Sequence, residues 1–454
     1  MSTNISRRKV VAGAAWAAPV VAASAVVPAF ASSTECEWAS SAAYSVEGTS
    51  AGAKSTTSFT VPERVDKIKF EVVGGAGGTN YDDMAAGSGA KITGIIEVKP
   101  GQTVQLVAGA GGIGNGPLSS AEGGEGYGNG GSSNLPTPIP ASVMQSVNSI
   151  WPKDSSLKRI IYSASGGGSS ALVINGTPVA VAGGGGGAGF VNSGGANNNP
   201  DYAEAGAVDA GRLWPSGAKR NAYPVIGSTG GSAEGAEGSA GKQGALTYAA
   251  DTSVTTTVNA GEGGSAGIGG NGGSKTDLPS GKSPNGVLGY SSANNQEIYA
   301  SSKSGNQGGD GFKGNGGDGV GSYSYLIDNN DRTKKEVGTH NGTTYALEYE
   351  SIGFNFNGYE SVISAGGGAG YGGGGSGAST SSSAIVLTQK WNNNPNGLRQ
   401  NVGFAQFGGG GGAGGSYVAP GVSGGSIESA GNAPTERGKR GNGYVKVTLC
   451  KRTA

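Results

Sequence analysis

The side chains that could carry out covalent or metal chemistry are few, and their spacing is wrong for it. Two Gly-x-Ser-x-Gly matches occur, centred on Ser265 and Ser423. That pattern can mark a serine nucleophile on a sharp strand-to-helix turn. A chain with 93 Gly supplies such matches by chance, and no helix pattern follows either serine. The one histidine, His340, stands beside Asn341-Gly342, which reads as a turn. Gly109-x-Gly111-x-x-Gly114 follows a strand pattern, as a dinucleotide fingerprint does. The fingerprint needs a helix whose N-terminus receives the pyrophosphate, and Asn115-Gly116-Pro117 comes instead. Gly281-Lys282-Ser283 imitates the end of a phosphate loop, with Thr276 where Gly is required. Asp310, Asp318, Asp328 and Asp331 raise a calcium site, but Lys313 occupies the Asp position of the nonapeptide calcium repeat. Asp328-Asn329-Asn330-Asp331 also lacks the Gly and distal Glu of a calcium loop. The expectation is a non-enzyme with no catalytic residue, no cofactor and no metal.

Composition points the same way. Of 454 residues, 93 are Gly and 18 Pro, and only 14% are charged, against roughly 25% in an ordinary soluble domain. Lys+Arg and Asp+Glu are both 31, so no basic surplus argues for nucleic acid. Two Cys exclude a multi-Cys zinc or iron–sulfur site.

Residues 1–31 read as an export signal. Arg7-Arg8-Lys9 precede an apolar stretch interrupted by Pro19, and Ala29-Phe30-Ala31 before Ser32 is a small-x-small cleavage site. The paired Arg7 and Arg8 suggest the twin-arginine route, which carries folded cargo; the other reading is a retained anchor. No later stretch is apolar enough to span a bilayer. A secreted or cell-wall-associated location follows. In an exported protein, Cys36 and Cys450 at opposite ends of the mature chain read as one disulfide. Closing so long a loop contributes roughly 4–5 kcal/mol in the loop-entropy model.

The elements that would position any site are strands. Lys67–Val73 alternates with Ile68, Phe70 and Val72 on one face; Lys91–Val98 and Thr103–Ala108 alternate likewise. Ala171–Ile174 and Val179–Ala182 flank Asn175-Gly176-Thr177-Pro178, a hairpin signal. Further strands are expected at Arg159–Ser163, Thr344–Glu350, Ser361–Ser364, Ala384–Trp391 and Tyr444–Leu449. Many short strands with Gly-rich turns imply an all-β sandwich or barrel.

The glycines recur every third residue: Gly183, Gly186 and Gly189; Gly235 to Gly244; Gly261, Gly264, Gly267, Gly270 and Gly273; Gly308 to Gly317. A left-handed extended helix has three residues per turn, so this spacing strips one face of side chains and lets a neighbouring backbone approach. On that reading 261–273 is one extended run with Gly267 on the bare face and Gly263 and Gly272 off it. The alternative is a flexible Gly/Ser tether. Between 190 and 345, Tyr202, Trp214, Tyr223, Tyr290, Tyr299 and Tyr323 stand among Ser, Asn and Gly, a composition suited to adaptable ligand contact. They equally suit covering the underside of loops.

Several blocks resemble bacterial glycine-rich domains: Phe59-Thr60-Val61-Pro62 with Lys67–Val73 and Gly74–Gly78, Val98–Thr103, Gly109–Gly112, Gly166–Leu172, Val181–Gly187, Ala365–Gly368 and Gly441–Val447. The pattern is similar to the glycine-rich extracellular domain of the anaplastic lymphoma kinase receptor family. It covers 56–449 in scattered blocks. The resemblance implies a TNF-like, jelly-roll β-sandwich carrying glycine-rich loops and a bundle of polyglycine-type extended helices. The organisation expected is a signal (1–31), a lead-in (32–55), a first glycine-rich β part (56–189), an insertion (190–345) and a second β part (346–454). The function expected is structural or adhesive, outside the cell. The alternative is recognition of a cell-wall or host glycan or protein through the 190–345 loops.

Overall fold

The computed structural model describes residues 36–80, 86–116, 119–134, 158–195, 244–247, 255–275, 296–299, 301–328, 336–340, 343–347, 358–388 and 397–452. Among the described residues every regular element is a strand, and the sheets are antiparallel apart from two parallel pairings. The protein is all-β. No described helix is long and apolar enough to cross a membrane.

Two sheets share the main core. In the first, the order is Cys36–Trp38, Tyr444–Arg452, Val65–Val73, Ala90–Glu97 and Ser423–Ser429, with Tyr44–Glu47 also paired to Tyr444–Arg452. In the second it is Tyr417–Val418, Thr177–Ala182, Ser170–Ile174, Thr103–Ala108 and Ser55–Thr60. The period of two assigns the faces: Ile68, Phe70, Val72, Ile92, Val445 and Val447 meet Phe59, Val104, Leu106, Leu172 and Ile174 in one buried cluster. Each such side chain contributes about 1.5–3 kcal/mol when fully buried. The polar face of the first sheet carries its own pairs. The Tyr444 hydroxyl bonds the Glu71 carboxylate, and Lys446 lies 4.3 Å from the Tyr444 ring centroid. Burial first, then that bond, pushes the Tyr444 phenol up to about 12.

The hairpin turn is tighter than expected. Asn175 (φ 49°) and Gly176 (φ 80°) form a two-residue turn, and Thr177 and Pro178 already belong to the returning strand. Positive φ at both central residues matches the twist of the flanking strands.

Two further sheets lie beyond the glycine segments. One runs Gln296–Tyr299, Gly321–Asp328, Gly358–Ile363 and Lys158–Tyr162. The other runs Ser301–Lys303, Ser379–Thr388, Gly397–Gly408, Thr343–Leu347 and Glu336–His340, with Phe190–Gly195 on Gly397–Gly408. Ile161, Phe190 and Val362 form their small apolar knot, and Ser322 Oγ reaches Ser379 Oγ at 2.7 Å.

Glycine-rich stretches join these sheets to the first two. Residues 164–169 lead from Lys158–Tyr162 to Ser170–Ile174, 183–188 from Thr177–Ala182 to Phe190–Gly195, and 409–416 from Gly397–Gly408 to Tyr417–Val418. They belong to no sheet, yet most of their N–H groups donate to a neighbouring backbone. Gly366 and Ala369 donate to Ala164 and Gly167; Gly367 and Gly370 donate to Gly317 and Gly314; Gly368 and Tyr371 donate to Gly412 and Gly415. Donors three apart thus address one neighbouring segment, and successive donors address different ones. Parts of the 190–345 region belong to the same network: Gly261 and Gly264 donate to Gly410 and Ala413, and Gly308 donates to Gly270.

The single extended run expected over 261–273 is corrected. Ala266 (φ 48°) and Gly267 (φ 82°) form a two-residue turn, the Ser265 and Ile268 N–H groups bond each other's carbonyls at 2.9 and 2.8 Å, and Glu262 N–H reaches Asn271 O at 2.9 Å. The chain folds back because a five-residue leg buries its backbone groups only when other segments flank it. The tolerance expected at Gly272 is corrected as well, while Gly267 resists a side chain through its φ of 82°. A Cβ on Gly272 would land on the Gly305 backbone, whereas one on Gly267 would lie 2.9 Å from the Tyr371 ring.

Cys36 and Cys450 form the expected disulfide, with their Cα atoms 5.3 Å apart. The strand register places Trp38 opposite Cys450 and Cys36 opposite Arg452, so the bond is a diagonal tie between neighbouring strands.

Two outcomes follow for urea denaturation. Gly367→Ala drives a Cβ into the Gly374 backbone and lowers stability by about 3 kcal/mol or more, since backbone cannot move aside as a side chain can. Gly425→Ala, whose Cβ would find only contacts of 3.5 Å or longer, stays within about 0.5 kcal/mol of the parent. For the disulfide, Cys36→Ser lowers stability by roughly 2–5 kcal/mol, and non-reducing peptide mapping of the parent yields one cross-linked peptide.

Candidate functional site

The side chains that gather at a surface are aromatics set into reversals of the glycine segments. Tyr127 stands in Gly126-Tyr127-Gly128, Phe312 in Gly311-Phe312-Lys313-Gly314, and Tyr371 in Gly370-Tyr371-Gly372. Gly311 and Gly372 both have φ of 80°, a conformation open to glycine that lets the chain reverse within one or two residues. With glycine on either side, the ring is the one large group each turn can project. Tyr417, at the start of its short strand, supplies the fourth ring.

The rings lock together. Phe312 stacks on Tyr371 with centroids 4.7 Å apart and meets Tyr417 edge-on at 4.9 Å; Tyr371 and Tyr417 are 5.0 Å apart. Offset and edge-to-face arrangements of this kind add about 0.5–1.5 kcal/mol per pair beyond area burial. Beneath them lie Ala171, Val173 and Val181, the face of Ser170–Ile174 and Thr177–Ala182 that points away from the main core. Tyr127 packs on the same floor, and Lys313 Nζ lies 5.0 Å from its ring centroid. Burial raises the Tyr127 phenol above its ordinary value. Beside the rings, Ile268 is 64% exposed, and a Cβ on Gly372 would touch its backbone.

Of the aromatics singled out in the sequence, Tyr202, Trp214, Tyr223 and Tyr290 lie outside the described residues, as do Arg7, Arg8, Ala31 and Ser32. Tyr299 lies in Gln296–Tyr299, in register with Tyr325. Tyr323 is half-buried two residues earlier on that partner strand, its N–H donating to Ser301 Oγ at 2.8 Å and its carbonyl accepting from the same hydroxyl at 2.7 Å. The structure thus puts Tyr299 and Tyr323 on adjacent strands, while the ring cluster is built from four other residues. The signal that could have found them is an aromatic flanked closely by glycine, at 126–128, 311–314 and 370–372.

The polar motifs have local duties. Asp310 Oδ1 accepts from Gly269 N–H at 2.8 Å, and Asp318 Oδ1 from Ser132 N–H at 2.8 Å, so both carboxylates tie glycine segments together. Asp331 lies outside the described residues, and Asp328 ends a strand. Ser265 opens the 265–268 turn; Ser423 Oγ donates to the Ile95 carbonyl at 3.3 Å. His340 pairs in register with Thr343; the turn expected at Asn341-Gly342 lies outside the described residues. Among the described residues, no three His, Cys, Asp or Glu side chains gather as a metal site would need. No model of a known protein family matches the chain, and no curated protein sequence matches it.

Phe312 is the ring on which the cluster centres. Phe312→Ala is expected to lower stability by about 2 kcal/mol, less than for a fully buried Phe, while Phe312→Tyr stays close to the parent. Thermal melting with near-ultraviolet dichroism checks both, because the stacked rings give the dichroic signal.

Proposed function

We propose that this chain is an exported, non-enzymatic, glycine-rich protein with a structural or adhesive role at or outside the cell surface. Its two core sheets are read as a jelly-roll sandwich of the TNF-like kind. Its glycine segments are read as polyglycine-type extended helices, packed as a rigid bundle.

The observation that carries the reading is the donor pattern: hydrogen bonds from residues three apart run to one neighbour, as expected of a backbone turning once per three residues. At about 3.1 Å per residue, a six-residue segment such as 164–169 would span roughly 19 Å. Such a bundle offers a stiff spacer with little surface for chemistry. The twin-arginine reading of Arg7-Arg8 fits a fold whose two ends meet on one sheet. A second reading, recognition of a cell-wall or host glycan or protein, is favoured by the ring cluster and its exposed Ile268 neighbour.

Cell fractionation tests the reading. The expected outcome is protein outside the cell or on its wall, beginning at Ser32, with the Arg7→Lys, Arg8→Lys double variant held inside. A hydrolase substrate panel is expected to show no turnover. A fully cytoplasmic wild-type protein, or turnover that is lost on replacing Ser265 or Ser423, would overturn it.

A further inference from the structure

We infer that the aromatic patch at the glycine turns is a binding site for neutral pyranose sugars. This rests on reading the chain as an adhesive protein outside the cell. It moves ligand contact from the loops of 190–345 as a whole to one built surface.

The patch consists of Tyr127, Phe312, Tyr371 and Tyr417 with Ile268 and Lys313 at its margin. Its rings are held by one another and by the sheet beneath, so they lose little conformational freedom on binding. Each turn backbone is pinned too: Tyr371 N–H donates to Gly415 O at 2.8 Å and Tyr127 N–H to Ser169 O at 2.8 Å. A pyranose ring has an apolar C–H face and a rim of hydroxyls. A surface with aromatic faces, phenol hydroxyls and one ammonium matches both at once, since Tyr is apolar in its body and polar at its tip.

Size and charge favour a sugar over other occupants. An aromatic side chain offers at most about 250 Å², and all four rings are half-buried. Even with Ile268, the open apolar surface is a few hundred Å², short of the ~800 Å² per partner of a stable protein–protein contact. Lys313 lies against the Tyr127 ring, and the exposed Glu125 stands two residues before Tyr127. The Asp310 carboxylate on the neighbouring turn is bonded to Gly269 N–H. A polyanion would need a cluster of cations, and a cationic ligand would meet Lys313. One or two neutral sugar rings fit the area and the charge.

The test is isothermal titration of the purified mature protein with β-1,3-glucan, β-1,4-glucan and N-acetylglucosamine hexamers, and with heparin as the anionic comparator. At least one neutral hexamer is expected to bind, and heparin is not. Ile268→Asp, at an exposed position, and Tyr371→Ala are each expected to weaken binding at least tenfold, and Tyr371→Phe to stay within about threefold. Thermal melting accompanies each variant; if Tyr371→Ala fails to fold, Ile268→Asp decides. Binding confined to heparin, no binding of any neutral hexamer, or unchanged affinity in Ile268→Asp would overturn the proposal. Because the protein is purified, failure here leaves the export reading to be judged by fractionation alone.

Discussion

A buried peptide group must find a hydrogen-bond partner, and here a large part of the interior is peptide groups with almost no side chains between them. Glycine makes this possible by letting backbone meet backbone at van der Waals distance. At Gly366, Gly367 and Gly368 an added Cβ would strike the carbonyls of Gly131, Gly374 and Gly184, three different segments. Such a residue is surrounded on every side, so all three successive positions must be Gly. The same constraint explains serines buried among the glycine segments. Ser165 and Ser169 spend their hydroxyls on backbone groups of neighbouring segments, satisfying donors that an apolar side chain would leave unpaired.

The sheets at either side depend on that interior and stabilise it in turn. The segments 164–169, 183–188, 364–378 and 409–416 each leave one sheet and enter another, so their ends are fixed by conventional strand pairing. The strand Tyr444–Arg452 holds the first sheet together, lying between Val65–Val73 on one edge and both Cys36–Trp38 and Tyr44–Glu47 on the other. The two ends of the described chain therefore meet on adjacent strands, and the disulfide fastens that meeting. Among the described residues a large apolar cluster lies between this sheet and the second one, around Phe70, Ile68 and Leu106. The glycine segments contribute hydrogen bonds and close packing.

Chemistry is pushed to the margins by the same logic. Asp310 and Asp318 accept backbone donors of neighbouring glycine segments. Large side chains reach a surface where the glycine segments reverse. That is why Tyr127, Phe312 and Tyr371 come from turns distant in sequence yet stand close together, over a floor provided by the outer face of Ser170–Ile174 and Thr177–Ala182.

Alternation at Lys67–Val73, Lys91–Val98 and Thr103–Ala108 was enough to identify strands and their inward residues, because a period of two in side-chain burial is a local property of the extended chain. The pairing of Cys36 with Cys450 was likewise legible from there being two Cys in a sequence read as exported. The three-residue glycine spacing pointed to close backbone approach, but one-dimensional spacing cannot show where the chain turns. Gly267 and Gly272 look in and out of phase in sequence, yet one sits in a turn against Tyr371 and the other against the Gly305 backbone. The strand Gly397–Gly408, with Gly at both ends and in the middle and the polar run Arg399-Gln400-Asn401, gave no regular alternation to find. Pairing with Ser379–Thr388 and Phe190–Gly195 on its two edges made it a strand. Close glycine neighbours mark Tyr127, Phe312 and Tyr371 in the sequence, but that these rings gather was decided by the tertiary structure, because their proximity depends on how separate glycine turns stack.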